Sequence, residues 1–166
     1  MTVKIDLLSK LITFHENIGK LESDFREVIS SVAVNVPQYT YDMFEELYKR
    51  DFIEHFKFEE LIVFPAILAW SQNDTYTRLI DDYTRTHKEL IASGIKILKK
   101  IDTNETALPK EQLRENVVLF AELNKRNSVH AKHEDLHIVP LLEENVTLRF
   151  LTGRNMVACQ SAFRKL

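Results

Sequence analysis

The feature that most constrains this chain is an eleven-residue pattern that occurs twice. Residues 55–65 read HFKFEELIVFP and residues 130–140 read HAKHEDLHIVP, so a histidine, a glutamate and a proline recur 75 residues apart. A solitary histidine precedes each copy, by 40 residues in the first case and by 43 in the second. The pattern therefore predicts that the chain contains two copies of the same helix pair. Its members are His15, His55, Glu59 and Pro65 in the first half, and His87, His130, Glu134 and Pro140 in the second.

Apolar residues spaced three and four positions apart predict four long helices. Their expected spans are about 5–34, 40–70, 73–101 and 109–142, and a shorter amphipathic helix is expected over 147–166. Proline cannot donate a helical hydrogen bond, so Pro65 should kink the second helix or end its regular part, and the fourth helix should stop near Pro140. Because short loops join antiparallel neighbours, the sequence predicts an all-α, up-down-up-down four-helix bundle with a short additional C-terminal helix.

Composition supports this fold and excludes several kinds of partner. With 166 residues, 45% of them apolar and only three glycines, we expect one domain over residues 1–166. The net charge of -3 and the scattered lysines and arginines argue against nucleic acid as a partner. The sequence contains no apolar stretch long enough to span a membrane, no signal-peptide pattern and only one cysteine, Cys159. We therefore predict a cytoplasmic protein that does not bind membranes.

The repeated residues carry metal-binding chemistry. A spacing of four places His and Glu on one face of a helix, and a mid-helix histidine of an antiparallel neighbour can lie level with them. Imidazole nitrogens and carboxylate oxygens bind transition metals, and one carboxylate can bridge two ions. Without a metal, the same groups would be costly to bury. We therefore predict a site for two metal ions, formed by His15, His55, Glu59, His87, His130 and Glu134.

Three further polar residues near the second copy are less clear. His133 and His137 have no histidine counterpart in the first copy, so we interpret them as surface residues or as residues that surround the ligands. Asp135 is an alternative to Glu134 as the carboxylate ligand, but a spacing of five from His130 turns it about 100° off the face that a spacing of four keeps. A metal-free bundle that serves only as an interaction module stays an alternative.

Both copies resemble the motifs of the haemerythrin-like family, or HHE cation-binding domains, over residues from about 10 to 142. HFKFEELIVFP is similar to that family's His-x-x-x-Glu-(Glu)-x-x-(Leu/Val)-Phe-Pro stretch. The resemblance implies two non-haem iron ions, joined by the two glutamates and by an oxo or hydroxo bridge. It implies His15 and His55 on one iron, and His87 and His130 on the other. Manganese and zinc accept the same ligand atoms and stay open.

Tyr83 stands where the oxygen-carrying haemerythrins have a fifth histidine. Five ligands per iron would then leave a position open at both ions, which favours binding of or reaction with a small oxidant such as O2, NO or peroxide. Tyr83 itself either contacts the site or packs in the interior. The ligand set is similar to that of proteins for repair of iron centres, but we expect no cysteine-containing N-terminal domain here. Iron-centre repair and iron storage or delivery stay alternatives, and whether the protein is an enzyme stays open.

Overall fold

The computed structural model describes residues 4–31, 45–46, 48–71, 73–102 and 110–152. Five helices account for most of this part of the chain, and the prediction of an all-α fold is confirmed. The helices are α1 (Leu7–Ser31), α2 (residues 48–70), α3 (Asp74–Asp102), α4 (Lys110–Glu144) and α5 (Val146–Arg149). The only strands among the described residues are β1 (Lys4–Asp6) and β2 (Phe150–Thr152), which pair antiparallel. The predicted end of the first helix at 34 and the predicted start of the second at 40 lie outside the described residues.

Neighbouring helices run in opposite directions around a four-helix bundle. Along each interface, contacts that move forward on one helix move backward on the next, as an antiparallel arrangement requires. Between α1 and α2 the contacts are Lys10 with Phe58 and Phe14 with His55, and between α2 and α3 they are Phe64 with Tyr83 and Phe56 with His87. Between α3 and α4 they are Tyr83 with His133 and His87 with His130. Helix α4 contacts α1 through Asp135 and His15, and Asp6, directly before α1, contacts Arg149, beyond the end of α4.

Helix α2 departs from regular α geometry around its copy of the repeated motif, residues 55–65. It consists of π-helical turns at Tyr48–Glu54 and Glu59–Val63, separated by the α-helical His55–Phe58 and followed by Phe64–Trp70. The junction residues keep right-handed helical dihedral angles, so this is one continuous helix. Pro65 lacks an N–H and its ring crowds the preceding turn, which explains why the wider turn lies directly before it. The predicted disturbance at Pro65 is therefore a π-helical segment.

Helix α4 continues through its proline. The helix was expected to stop near Pro140, at about residue 142, and it ends at Glu144. Directly after the proline, Leu141 and Leu142 are buried in the core, and their packing outweighs the one lost hydrogen bond. The carbonyl that loses its partner belongs to Leu136, whose side chain is 71% exposed, so water can reach this face of the helix.

The described ends of the chain pair with each other. Ile5, predicted as helical, lies in β1 opposite Leu151, and Asp6 lies opposite Phe150. The predicted C-terminal helix begins at Val146, but residues 150–152 turn into β2, and residues 153–166 lie outside the described part. This pairing joins the start of α1 to the end of α4.

Two apolar clusters enclose the middle of the bundle. One contains residues near the paired strands, with Leu11, Phe58 and Leu142 among its most buried members, and the other contains Phe52 and Phe120. Along each of α2, α3 and α4, the predicted site residues lie in sequence between members of the two clusters. The core therefore holds the polar residues of the centre from both sides. In the part of the chain that the structure describes, no helix has the length and apolar character needed to cross a bilayer.

Asp6 is expected to stabilise the fold in two ways, as a cap at the start of α1 and as the partner of Arg149 in an ion pair. Its carboxylate accepts the N–H of Ser9 at the start of α1 and two hydrogen bonds from Arg149, at 2.9 and 2.8 Å. Asp6→Ala should lower the free energy of unfolding by about 1–2 kcal/mol, since the cap is worth about 1 kcal/mol and a partly exposed ion pair less than that. Asp6→Asn, which keeps a capping oxygen, should cost less.

The Arg149 guanidinium and the hydrogen bonds of Ser9 hold the pKa of Asp6 below its ordinary value. A carboxyl whose pKa is lowered by folding stabilises the folded state above its unfolded pKa, and this contribution is lost as the pH falls. The stability difference between wild type and Asp6→Asn should therefore shrink below about pH 4. Urea unfolding at pH 7 and pH 3 measures it, and a difference that grows in acid would contradict this role.

Candidate metal centre

All six predicted residues lie together in the middle of the bundle. Helix α1 contributes His15, α2 contributes His55 and Glu59, α3 contributes His87, and α4 contributes His130 and Glu134. The least buried of the six, His15, is 9% exposed, while His55, His87 and Glu134 have no exposed surface. The structure thus places four imidazoles and two carboxylates in the interior.

The first half of the centre joins α1 to α2. His15 Nε2 lies 3.2 Å from His55 Nε2 and 3.5 Å from Glu59 Oε1. His55 Nε2 lies 2.8 Å from the same Glu59 oxygen, because the two residues are one turn apart on α2. Glu134 Oε2 reaches across from α4 to within 3.5 Å of His15 Nε2. One ligand atom from each of these four residues lies within 4.8 Å of the others.

The second half joins α3 to α4. His87 Nε2 lies 3.2 Å from Glu59 Oε2 and 3.6 Å from Glu134 Oε1. His130 Nε2 lies 3.3 Å from the same Glu134 oxygen, again one turn along its helix. These four residues form a second group whose ligand atoms lie within 4.8 Å of one another.

The two glutamates belong to both groups. Glu59 directs Oε1 to the histidines of α1 and α2 and Oε2 to His87. Glu134 directs Oε2 to His15 and Oε1 to the histidines of α3 and α4. Each carboxylate therefore has one oxygen on each side, which is the arrangement needed to bridge two ions.

Several atoms at the centre are buried without a hydrogen bond from any described residue. They are Glu59 Oε2, both carboxylate oxygens of Glu134, and the Nε2 atoms of His87 and His130. His87 Nε2 and Glu59 Oε2 lie only 3.2 Å apart, yet their geometry does not make a hydrogen bond. Leaving such groups unpaired in the interior costs several kcal/mol, by order of magnitude. Metal ions would satisfy these lone pairs, so the residues present fit a metal site.

Two carboxylates that sequence reasoning did not assign hold the outer nitrogens of two histidines. His15 Nδ1 donates to Asp135 Oδ1 at 2.6 Å, and His87 Nδ1 donates to Glu60 Oε1 at 2.9 Å. Each bond fixes the ring so that Nε2 faces the centre, which is how carboxylates orient metal-binding histidines. Asp135 therefore does not replace Glu134 at the centre.

These two acids occupy matching positions of the repeat. Glu60 follows Glu59, and Asp135 follows Glu134, 75 residues later. Each one contacts the lone histidine of the other helix pair: Glu60 of α2 binds the histidine of α3, and Asp135 of α4 binds that of α1. The offset was visible in the sequence, but the partner of each acid depends on which helices are neighbours in space.

Both of these histidines have a pKa raised to about 11. Burial alone lowers the pKa of His15, but its hydrogen bond with Asp135 and contacts with the two central glutamates outweigh that effect. For His87, burial is likewise outweighed, here by contacts with the central glutamates and by Glu60. The surrounding carboxylates thus make this a favourable place for positive charge.

The two glutamates stay ionised. Burial and the charge of Glu59 raise the pKa of Glu134, but contacts with His130, His15 and His87 lower it to about 2. For Glu59, burial is again opposed by the neighbouring histidines, which hold its pKa well below the usual range. The centre therefore offers two negative charges to a cation.

Aromatic rings cover the histidines on their apolar sides. Phe56 stacks on His87 with ring centroids 3.9 Å apart, and Phe14 stacks on His55 at 5.2 Å. Phe56 has an exposed fraction of 1%. These rings keep water from the histidine faces and restrict ring rotation.

Tyr83 lies beside the centre but its hydroxyl points elsewhere. The hydroxyl oxygen is 3.1 Å from His133 Nδ1 and 3.2 Å from His137 Nδ1, and it also donates to the His133 carbonyl. The ring packs edge-on against His130. Burial, and next the charges of Glu134 and Glu59, raise the pKa of Tyr83, so it stays a neutral phenol. Tyr83 thus links the centre to the two exposed histidines of α4.

Removing the charge of Asp135 or of Glu60 should weaken metal binding, in each case at one half of the centre. Asp135→Asn should lower affinity about 10- to 100-fold for the ion beside His15, and Glu60→Gln should do so for the ion beside His87. Competition with a chelator, read as metal content, measures both. Glu122→Gln, an exposed acid on α4, is the matched control. Metal retention equal to that of the control in both variants would contradict the assigned roles.

The comparison with known families agrees with this geometry. The family profile described as the Hemerythrin HHE cation binding domain matches residues 6–142, which cover α1 to α4. No curated protein and no solved structure shows a significant match to the chain.

Proposed function

Because this chain belongs to the family of haemerythrin HHE cation-binding domains, we propose that its centre holds two iron ions and binds or reacts with a small oxidant such as O2, NO or peroxide. The family and the paired groups of histidine and glutamate make it a metal-binding protein. The identity of the metal, the number of ions and the oxidant are the parts that we propose.

The observation that carries the proposal is the sharing of both glutamates between two overlapping ligand groups. We assign His15 and His55 to one ion, His87 and His130 to the other, and both glutamates to the bridge. Nitrogen and oxygen ligands of this kind suit iron, with two anionic carboxylates to offset the charge of the pair. The buried atoms without hydrogen bonds argue against a metal-free interaction module, because such a module would leave them without hydrogen bonds in the interior.

When bound, an iron pair supplies electrons and coordination positions that the protein does not fill. Within the described residues, each group contains only two histidines, and the Tyr83 hydroxyl is engaged with His133 and His137. This supports a position open to a small ligand at each ion. The chain's own residues fix the imidazoles through Asp135 and Glu60 and exclude water through Phe56.

Titration of the ferrous protein with NO under anaerobic conditions tests the proposal. We expect an absorption change that saturates in proportion to bound iron, because each NO molecule would occupy an open coordination position at an iron ion. The double variant Glu59→Gln/Glu134→Gln should show no such change. The same response in wild type and variant, or none in the fully iron-loaded wild type, would refute oxidant binding at this centre.

Peroxide added to the iron-loaded protein separates binding from turnover. Loss of many equivalents of peroxide per iron pair would identify an enzyme. A binding or sensing protein should instead saturate in proportion to its iron pairs and release the peroxide unchanged.

A further inference from the structure

A cavity of about 490 Å³ lies between α3 and α4, next to the second half of the centre. This volume is in the range of small-molecule binding sites, about 300–1,000 Å³. Its buried floor includes His130, Tyr83 and Leu90, and its outer part includes exposed residues of α4. The cavity is thus both accessible and adjacent to a proposed metal ligand.

The cavity walls are mainly apolar. Leu79 and Leu90 of α3 face Val129 of α4 across it. Val129 is 60% exposed, although it is a large apolar residue directly before His130. An apolar chain in the cavity would cover this surface and be stabilised by its burial.

The charge at the outer edge of the cavity is positive. Lys125 and Arg126 line it, and Arg126 lies a loose 3.9 Å from the exposed Glu89. The one acid in the lining, Asp82, already pairs with Arg85 at 2.7 Å. Two cations at the edge of an apolar cavity favour a ligand with an anionic head and an apolar chain.

The opposite side of α4 shows the contrast. A second cavity, of about 350 Å³, lies between α1 and α4 next to His15. Two acids, Glu16 and Asp135, line it with a single lysine, Lys132. An anion is disfavoured there, and Asp135 already occupies the outer nitrogen of His15. No described carboxylate occupies the outer ring nitrogen of His130 in the same way.

We infer that the cavity between α3 and α4 binds a monocarboxylate with an unbranched alkyl chain. Its carboxylate lies at Lys125 and Arg126, and its chain passes Val129 and Leu90 towards His130. This goes beyond the proposed oxidant chemistry: it is a second ligand class, bound beside the centre without coordinating a metal. A bound chain closes the side of the cavity that leads to His130.

Calorimetric titration of the full-length, iron-loaded protein with acetate, hexanoate, octanoate and 1-octanol tests the inference. Each added CH₂ should tighten binding about fourfold, so octanoate should bind about 15-fold more tightly than hexanoate. Octanoate should also bind more tightly than 1-octanol, which lacks the charge. No binding of octanoate, equal affinity for acetate and octanoate, or equal affinity for octanoate and 1-octanol would overturn it.

Two variants locate the site. Val129→Asp should weaken octanoate binding more than tenfold, whereas Leu136→Asp, at an exposed position of α4 that lines neither cavity, should leave it unchanged. Lys125→Gln/Arg126→Gln should abolish the preference for octanoate over 1-octanol. Equal octanoate affinity in the Val129 and Leu136 variants, or an unchanged preference in the double variant, would refute the site.

The same titration on chelator-treated protein keeps this inference separate from the proposed function. Lys125, Arg126, Val129 and Leu90, which would contact the ligand, are not proposed metal ligands, so octanoate should bind with or without iron. If the protein takes up no iron but binds octanoate, the inference stands and the iron assignment is refuted. If the protein loads iron but does not bind octanoate, the iron assignment stands and the inference is refuted.

Discussion

Glu134→Ala is expected to abolish binding of both metal ions, whereas His55→Ala should remove mainly one. The glutamate places one oxygen in each ligand group, while His55 belongs only to the group with His15. Glu59→Ala should behave like Glu134→Ala, and His130→Ala should mirror His55→Ala in the other half. Metal content by elemental analysis should fall from two ions towards none in the glutamate variants, and towards one in the histidine variants.

The comparison among these four variants separates bridging from simple ligation. All four remove a buried polar side chain of the same centre, so general damage to folding should affect them alike. Circular dichroism at each metal-loading step checks that the helices are retained. Equal metal content in wild type and all four variants would refute the ligand assignment, and equal partial loss in all four would refute the bridging role.

Metal removal is expected to destabilise the protein strongly. A ligand that binds only the folded state adds about 4 kcal/mol when its free concentration is 1,000 times its Kd. For a chain of this size, that corresponds to a fall in Tm of about 8–16 °C after chelation. The buried glutamate oxygens and histidine nitrogens supply the physical reason, because chelation leaves them without the metal and without a hydrogen bond from any described residue.

Thermal unfolding followed by circular dichroism, with and without chelator, measures this effect. The double variant Glu59→Gln/Glu134→Gln is the control, since its Tm should not respond to chelator. A wild-type Tm that is unchanged by complete metal removal would show that the centre does not depend on metal for its stability.

The convergence of the six residues was predictable because it depends on spacing within helices. A separation of four places His55 above Glu59 and His130 above Glu134, whatever the neighbouring helices do. The antiparallel order of the bundle then brings the lone histidines level with them. Family membership is confirmed by the profile match over residues 6–142, while the ligand roles stay a proposal.

Features that depend on contacts between distant segments were not predictable in the same way. Ile5 has a helical apolar spacing, yet it pairs with Leu151 because the chain brings β1 and β2 together. Helix α4 continues through Pro140 to Glu144 because burial of Leu142 outweighs one missing hydrogen bond. The roles of Glu60 and Asp135 required knowledge of which histidine each one faces.

The most direct test is a crystal structure of the iron-loaded protein with anomalous difference maps collected on both sides of the iron absorption edge. The account predicts two iron peaks about 3.5–4 Å apart, which is the usual separation in two-metal sites. One should lie between His15 and His55 and the other between His87 and His130, with Glu59 and Glu134 contacting both. A single peak, peaks elsewhere, or none at this position after loading with iron would contradict it.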